Sequence, residues 1–66
     1  MQIIYNGSEL EVAETDTVMD IINKFDYKSN ITAVWLNGVQ VLYMAYGTQT
    51  FSPGDNLKLV RLIGGG

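Results

Sequence analysis

Two Asn-Gly pairs, Asn6-Gly7 and Asn37-Gly38, each lie between apolar runs, and they constrain the fold more than anything else in the chain. A two-residue hairpin turn needs positive φ at both central positions, and Asn-Gly meets that need at least steric cost. The first pair predicts a hairpin of strands Met1–Asn6 and Glu9–Ala13. Ile3 and Tyr5 then share one face and Ile4 takes the other, while Leu10 and Val12 alternate with Glu9 and Glu11, one side dry and one wet. The second pair predicts strands Ile31–Leu36 and Val39–Leu42.

Between the hairpins lies a helix signal. Thr17 suits the N-cap, with Asp20 three residues on in a variant of the capping box. Val18, Ile21, Ile22 and Phe25 follow at i, i+3, i+4 and i+7, an apolar stripe for a core-facing helix that ends near residues 25–27. Lys24 and Lys28 suit the negative end of its dipole. Residues 42–51 are apolar without clean periodicity and then polar. Ser52-Pro53-Gly54-Asp55 reads as a type II turn. A last strand, Leu57–Ile63, follows it. Hairpin, helix, strand pair and final strand predict an α+β fold: a mixed sheet of four to five strands with one main helix on one face, the first and last strands central and parallel.

Size limits how such a fold is held. A chain of 66 residues is one small domain, and with no cysteine and no histidine it has neither a disulfide nor a zinc staple. One apolar core must suffice, and 47% hydrophobic residues can supply it. The same absences remove thiolate nucleophile and imidazole base. Ser8, Ser29 and Ser52 have no histidine partner, and the acids are scattered, so no catalytic residue and no metal site is expected and the chain reads as no enzyme by itself. A net charge of −3 argues against a nucleic-acid partner. No signal peptide or membrane-length apolar run is visible, and a cytoplasmic protein with no membrane partner is expected.

The final strand runs into Gly64-Gly65-Gly66. Glycine loses the most backbone entropy on ordering and has no side chain to pack, so the sequence predicts a domain over residues 1–63 and a mobile tail over 64–66. A tail with only hydrogen at each Cα can thread a narrow site on another protein. Leu62 and Ile63 cannot both face the core, which leaves one exposed beside the tail. Arg61 is either a partner contact or a solvated arginine on an alternating strand. Tyr43, Met44 and Tyr46 either extend an apolar docking patch or form a satellite core under the loop.

In this order the motifs resemble a known family. Asn6-Gly7 after the first strand, Thr17-Val18-Met19-Asp20-Ile21-Ile22, Leu36-Asn37-Gly38, and Pro53 to Val60 ahead of Gly64-Gly65-Gly66 are together similar to the ubiquitin-like β-grasp sulfur carriers of the ThiS–MoaD family, most closely its thiamine-biosynthesis branch. The resemblance spans nearly the whole chain. It departs at residues 42–51, which carry no charge where the family often has a polar stretch with charges and a tryptophan. That departure bears on partner identity rather than on the tail.

The resemblance implies a mechanism. An adenylating E1-like enzyme of the ThiF/MoeB type, using ATP and magnesium that the carrier itself does not bind, would activate the Gly66 carboxylate. A sulfur donor such as a cysteine desulfurase would convert it to a thiocarboxylate, and a thiazole synthase of the ThiG type would take the sulfur. Gly64, Gly65 and Gly66 would enter the partner's site, with Arg61, Leu62, Ile63, Tyr43, Met44 and Tyr46 as docking candidates. Two alternatives share the activation step: a sulfur carrier for molybdopterin or amino-acid synthesis, and a modifier forming isopeptide bonds to lysine. A plain interaction domain with an inert tail is a third.

Overall fold

The computed structural model describes residues 1–62; Ile63 and the three terminal glycines lie outside the described residues. Strands β1 (Gln2–Tyr5) and β2 (Ser8–Glu11) form the first hairpin, and helix α1 (Val18–Lys24) follows. A 3-10 turn (Ser29–Ile31) leads into β3 (Thr32–Leu36), which pairs with β4 (Val39–Val41). A second 3-10 turn (Tyr43–Ala45) and an irregular segment precede β5 (Asn56–Arg61). The five strands form one sheet in the order β2-β1-β5-β3-β4. β1 and β5 are parallel neighbours in its middle, and the other pairings are antiparallel, so the expected α+β architecture holds.

Both Asn-Gly turns adopt the backbone their residues favour: Asn6 and Asn37 have φ of 46° and 53°, Gly7 and Gly38 of 87° and 80°. At the helix start, the Thr17 N–H donates to the Asp20 carboxylate at 2.8 Å and the Asp20 N–H to the Thr17 hydroxyl at 3.4 Å, a complete capping box. Ile3, Val18, Ile21, Ile22, Val34 and Leu57 are fully buried, so helix and sheet close on one core.

The helix end differs from the stripe. Phe25 is 36% exposed, because α1 has already stopped at Lys24. Its ring stacks on Tyr5 instead, with centroids 4.5 Å apart. Asp26 turns the chain with φ of 62°. The Asp26 and Tyr27 amides donate back to the Asn23 and Ile22 carbonyls at 3.2 and 2.9 Å, a Schellman closure with aspartate where glycine is usual.

The irregular segment is part of this architecture. Its Tyr46 and Gln49 carbonyls accept from Met19 and Val18 at 2.8 and 2.9 Å, satisfying amides of the first helical turn that have no partner within α1. Tyr46 and Phe51 are buried in the core. Tertiary hydrogen bonds, not periodicity, hold this stretch, which explains its lack of a legible pattern.

Candidate functional site

β5 carries the chain to its C-terminus, and the fold grips it from both sides. Leu57 and Leu59 point into the core, while Lys58 and Arg61 are exposed. Tyr5 of β1 lies opposite Leu57, and the main-chain bonds on this side end with the Asn6 N–H, which donates to the Leu57 carbonyl at 3.0 Å. Beyond it the Asn6 side chain takes over. The Leu59 N–H donates to Asn6 Oδ1 at 3.0 Å, and Asn6 Nδ2 donates to the Leu59 carbonyl at 3.5 Å.

The second turn asparagine does the same at the start of the strand. The Asn56 N–H donates to Asn37 Oδ1 at 2.8 Å, the Asn37 N–H to the Asn56 carbonyl at 2.7 Å, and Asn37 Nδ2 to the Asp55 carboxylate at 3.0 Å. Both asparagines thus serve twice, as turn residues and as clamps on β5. Sequence reasoning identified only the first role, because the second depends on partners distant in the chain. Among the described residues the last tie is the Leu62 N–H, which donates to the Ile31 carbonyl at 2.6 Å.

Around this exit the docking candidates separate. Leu62 is exposed and lines a groove with Asn30, Ala33, Leu42 and Tyr43. Arg61 is exposed and places its guanidinium 4.8 Å from the centre of the Tyr27 ring, a cation–π contact that fixes its direction. Tyr43 and Met44 are exposed. Tyr46 is the correction: it is 4% exposed, and its hydroxyl donates to the Thr32 carbonyl at 2.6 Å. It belongs to the core, not to a docking patch, and meets the Tyr43 ring edge-on at 5.5 Å. Ile63, Gly64, Gly65 and Gly66 lie outside the described residues.

Two phenols near this end are perturbed. Burial pushes the Tyr5 hydroxyl well above its ordinary value; the neighbouring Tyr27 adds to the rise and the Arg61 cation opposes it. Burial also raises Tyr46, with a further contribution from Tyr43. Among the described residues no cluster of acids could hold a metal, and no helix is long and apolar enough to cross a membrane.

A five-stranded mixed sheet grasping one helix, with its central strand leading to a glycine terminus, defines a ubiquitin-like β-grasp protein. Two solved structures share that fold over the whole of this chain. The crystal structure of the thiamine biosynthesis protein ThiS from Geobacter metallireducens is 26% identical and is itself covered completely, with a TM-score of 0.81. The solution structure of a thiamine biosynthesis protein from the same organism is also 26% identical, with 88% of that chain covered and a TM-score of 0.78. No curated protein matches by sequence. The model of the ThiS family matches residues 3–66, and the chain belongs to that family: small β-grasp sulfur carriers, not enzymes.

Proposed function

We propose that this protein carries sulfur for thiamine biosynthesis on the carboxylate of Gly66. The observation that carries the reading is the family match, which extends to residue 66 and so takes in all three glycines. A carboxylate is a poor electrophile, so an adenylating partner of the ThiF type activates it first: a Gly66 carboxylate oxygen attacks the α-phosphorus of ATP and pyrophosphate leaves. A donor such as a cysteine desulfurase then supplies a persulfide, whose terminal sulfur adds to the acyl carbon and expels AMP. A thiol reductant cleaves the resulting acyl disulfide, releasing the donor sulfur and leaving the thiocarboxylate. The thiocarboxylate left on Gly66 donates its sulfur to a thiazole synthase of the ThiG type.

The chain's own part is reach and presentation. Residues 1–63 act as the body and 64–66 as the tether, narrow enough at Gly65 and Gly66 to enter the partner's site. The clamps on β5 support this reading, since they hold the strand to the body at Asn56 and Leu59. Arg61 and Leu62, exposed at its base, are the contacts offered to the activating enzyme, with Tyr43 across the groove and Ile63 next in sequence.

Intact mass tests the reading. Incubated with the activating enzyme, ATP, magnesium, a sulfur donor and a thiol reductant, the protein should gain the mass difference between sulfur and oxygen on its C-terminal peptide. A variant lacking Gly65 and Gly66 should gain nothing while unfolding at the same denaturant concentration. An unmodified mass for the full chain under these conditions rejects the proposal, and lysine adducts in its place would point to a protein modifier.

A further inference from the structure

The two edges of the sheet are treated differently. Edge strand β2 carries Glu9 and Glu11, the charged residues that ordinarily guard an edge against pairing. Edge strand β4 has no such guard. No residue from Ser29 to Gly54 is charged, so β3, β4 and the segment after them form a neutral half of a molecule whose net charge is −3. On that half, Val39, Leu42 and Met44 are 69%, 66% and 85% exposed and line one groove with Gln40. Contiguous exposed apolar side chains of this kind mark interaction surfaces.

The patch is also held in place. The 3-10 turn that carries Met44 runs directly into buried Tyr46, whose carbonyl is bonded to the helix. The main chain under the patch is already ordered, so binding costs only side-chain freedom.

We propose that the β4 edge joins a second copy of this chain in a weak, two-fold symmetric dimer. Charge favours this occupant. Two copies of net charge −3 repel if they meet through their acidic halves, but a contact through β4 places both neutral halves together and both β2 edges outermost.

Strand geometry fits the same symmetry. Leu36 and Val39 flank the two-residue turn and face each other, so the alternation of an antiparallel pair turns the main-chain N–H and C=O of Gln40 outward. A two-fold axis at Gln40 lets the two copies exchange those groups. It sets Val39 opposite Val41 of the second copy, and Leu42 opposite Gly38, where no side chain intrudes. The interface is isologous, as a two-fold contact requires. β4 runs parallel to β5, both being antiparallel to β3, so the two β5 strands of the dimer run in opposite directions and end on opposite sides. With only three residues in β4, the contact falls below standard interface size and the dimer is concentration-dependent.

Sedimentation equilibrium of the full chain, from about 10 μM to about 1 mM, spans the range in which so small a contact associates. The expected result is a reversible rise from the protomer mass to twice that mass. The double variant Leu42→Lys, Met44→Lys alters only exposed side chains, and an amide-proton NMR spectrum checks its fold. It should stay at the protomer mass throughout. A wild type that remains monomeric at the highest concentration overturns the proposal, as does a folded variant that associates like the wild type. A monomeric wild type whose activation by the adenylating enzyme is lost in the variant assigns the patch to that enzyme instead. The test does not depend on sulfur loading, so its failure leaves the carrier role untouched.

Discussion

The Asn6 carboxamide bonds both main-chain groups of Leu59, 53 residues away in sequence, accepting from its N–H at 3.0 Å and donating to its carbonyl at 3.5 Å. It acts as one further residue of β1, continuing the ladder past the point where the chain turns away. Asn6→Gly keeps the positive φ of the turn and removes this clamp, while relieved strain and added unfolded-chain entropy oppose each other. The Leu59 amide then loses a partner in a part-buried setting, and the variant should lose about 1–2 kcal/mol of stability. Urea unfolding measures it; an unchanged midpoint would show that water replaces the side chain at no cost.

Asp26 closes α1 with φ of 62°, a region that suits glycine better than any side chain. Asp26→Gly should therefore stabilise the protein by a few tenths to about 1 kcal/mol. The gain is the relieved strain, less the entropy that glycine adds to the unfolded chain. A higher thermal midpoint with unaltered sulfur loading is the expected outcome, and a lower midpoint would mean that the aspartate side chain contributes more than its backbone costs.

Tyr46→Phe separates core from docking surface. The hydroxyl donates to the Thr32 carbonyl in a buried position, and its removal should cost about 1–2 kcal/mol. Loading of the terminus by the activating enzyme, measured where the variant is fully folded, should be unchanged. A loss of loading without a loss of stability would return Tyr46 to the partner surface.

Alkaline pH should destabilise the fold through Tyr5 and Tyr46. Folding raises both phenols above their ordinary value of about 10, chiefly through burial. Above that pH the unfolded chain releases phenolic protons that the folded chain retains, so stability falls as pH rises. Below about 10 both states keep the protons, and this contribution is fully present. Denaturant midpoints should be level in this respect up to about pH 10 and drop beyond it. Tyrosinate absorbance should show a late-titrating fraction that vanishes in denaturant, and four tyrosines titrating together near 10 would contradict the expectation.

Much of this architecture is local and was therefore legible in the chain. The two Asn-Gly turns, the Thr17–Asp20 box, the type II turn and the alternation of Leu57 and Leu59 each need only a few adjacent residues. Backbone sterics, capping and alternating burial act at that range, and each left its mark on residue type. Phe25 was the local reading that failed: spacing placed it on the stripe, but the helix ended one residue earlier and the ring went to Tyr5.

Tertiary structure decided everything that depends on partners distant in sequence. Only the sheet order brings Asn6 and Asn37 against β5, gives the Tyr46 and Gln49 carbonyls to the helix, and sorts Tyr43, Met44 and Tyr46 into two exposed rings or chains and one buried one. The physical reason is that a hydrogen bond or a buried contact across dozens of residues imposes no periodicity on either segment. The guarded β2 edge and the neutral β4 edge show both levels at once. The charges are written in the sequence, but only the order of the strands makes them the two edges of one sheet.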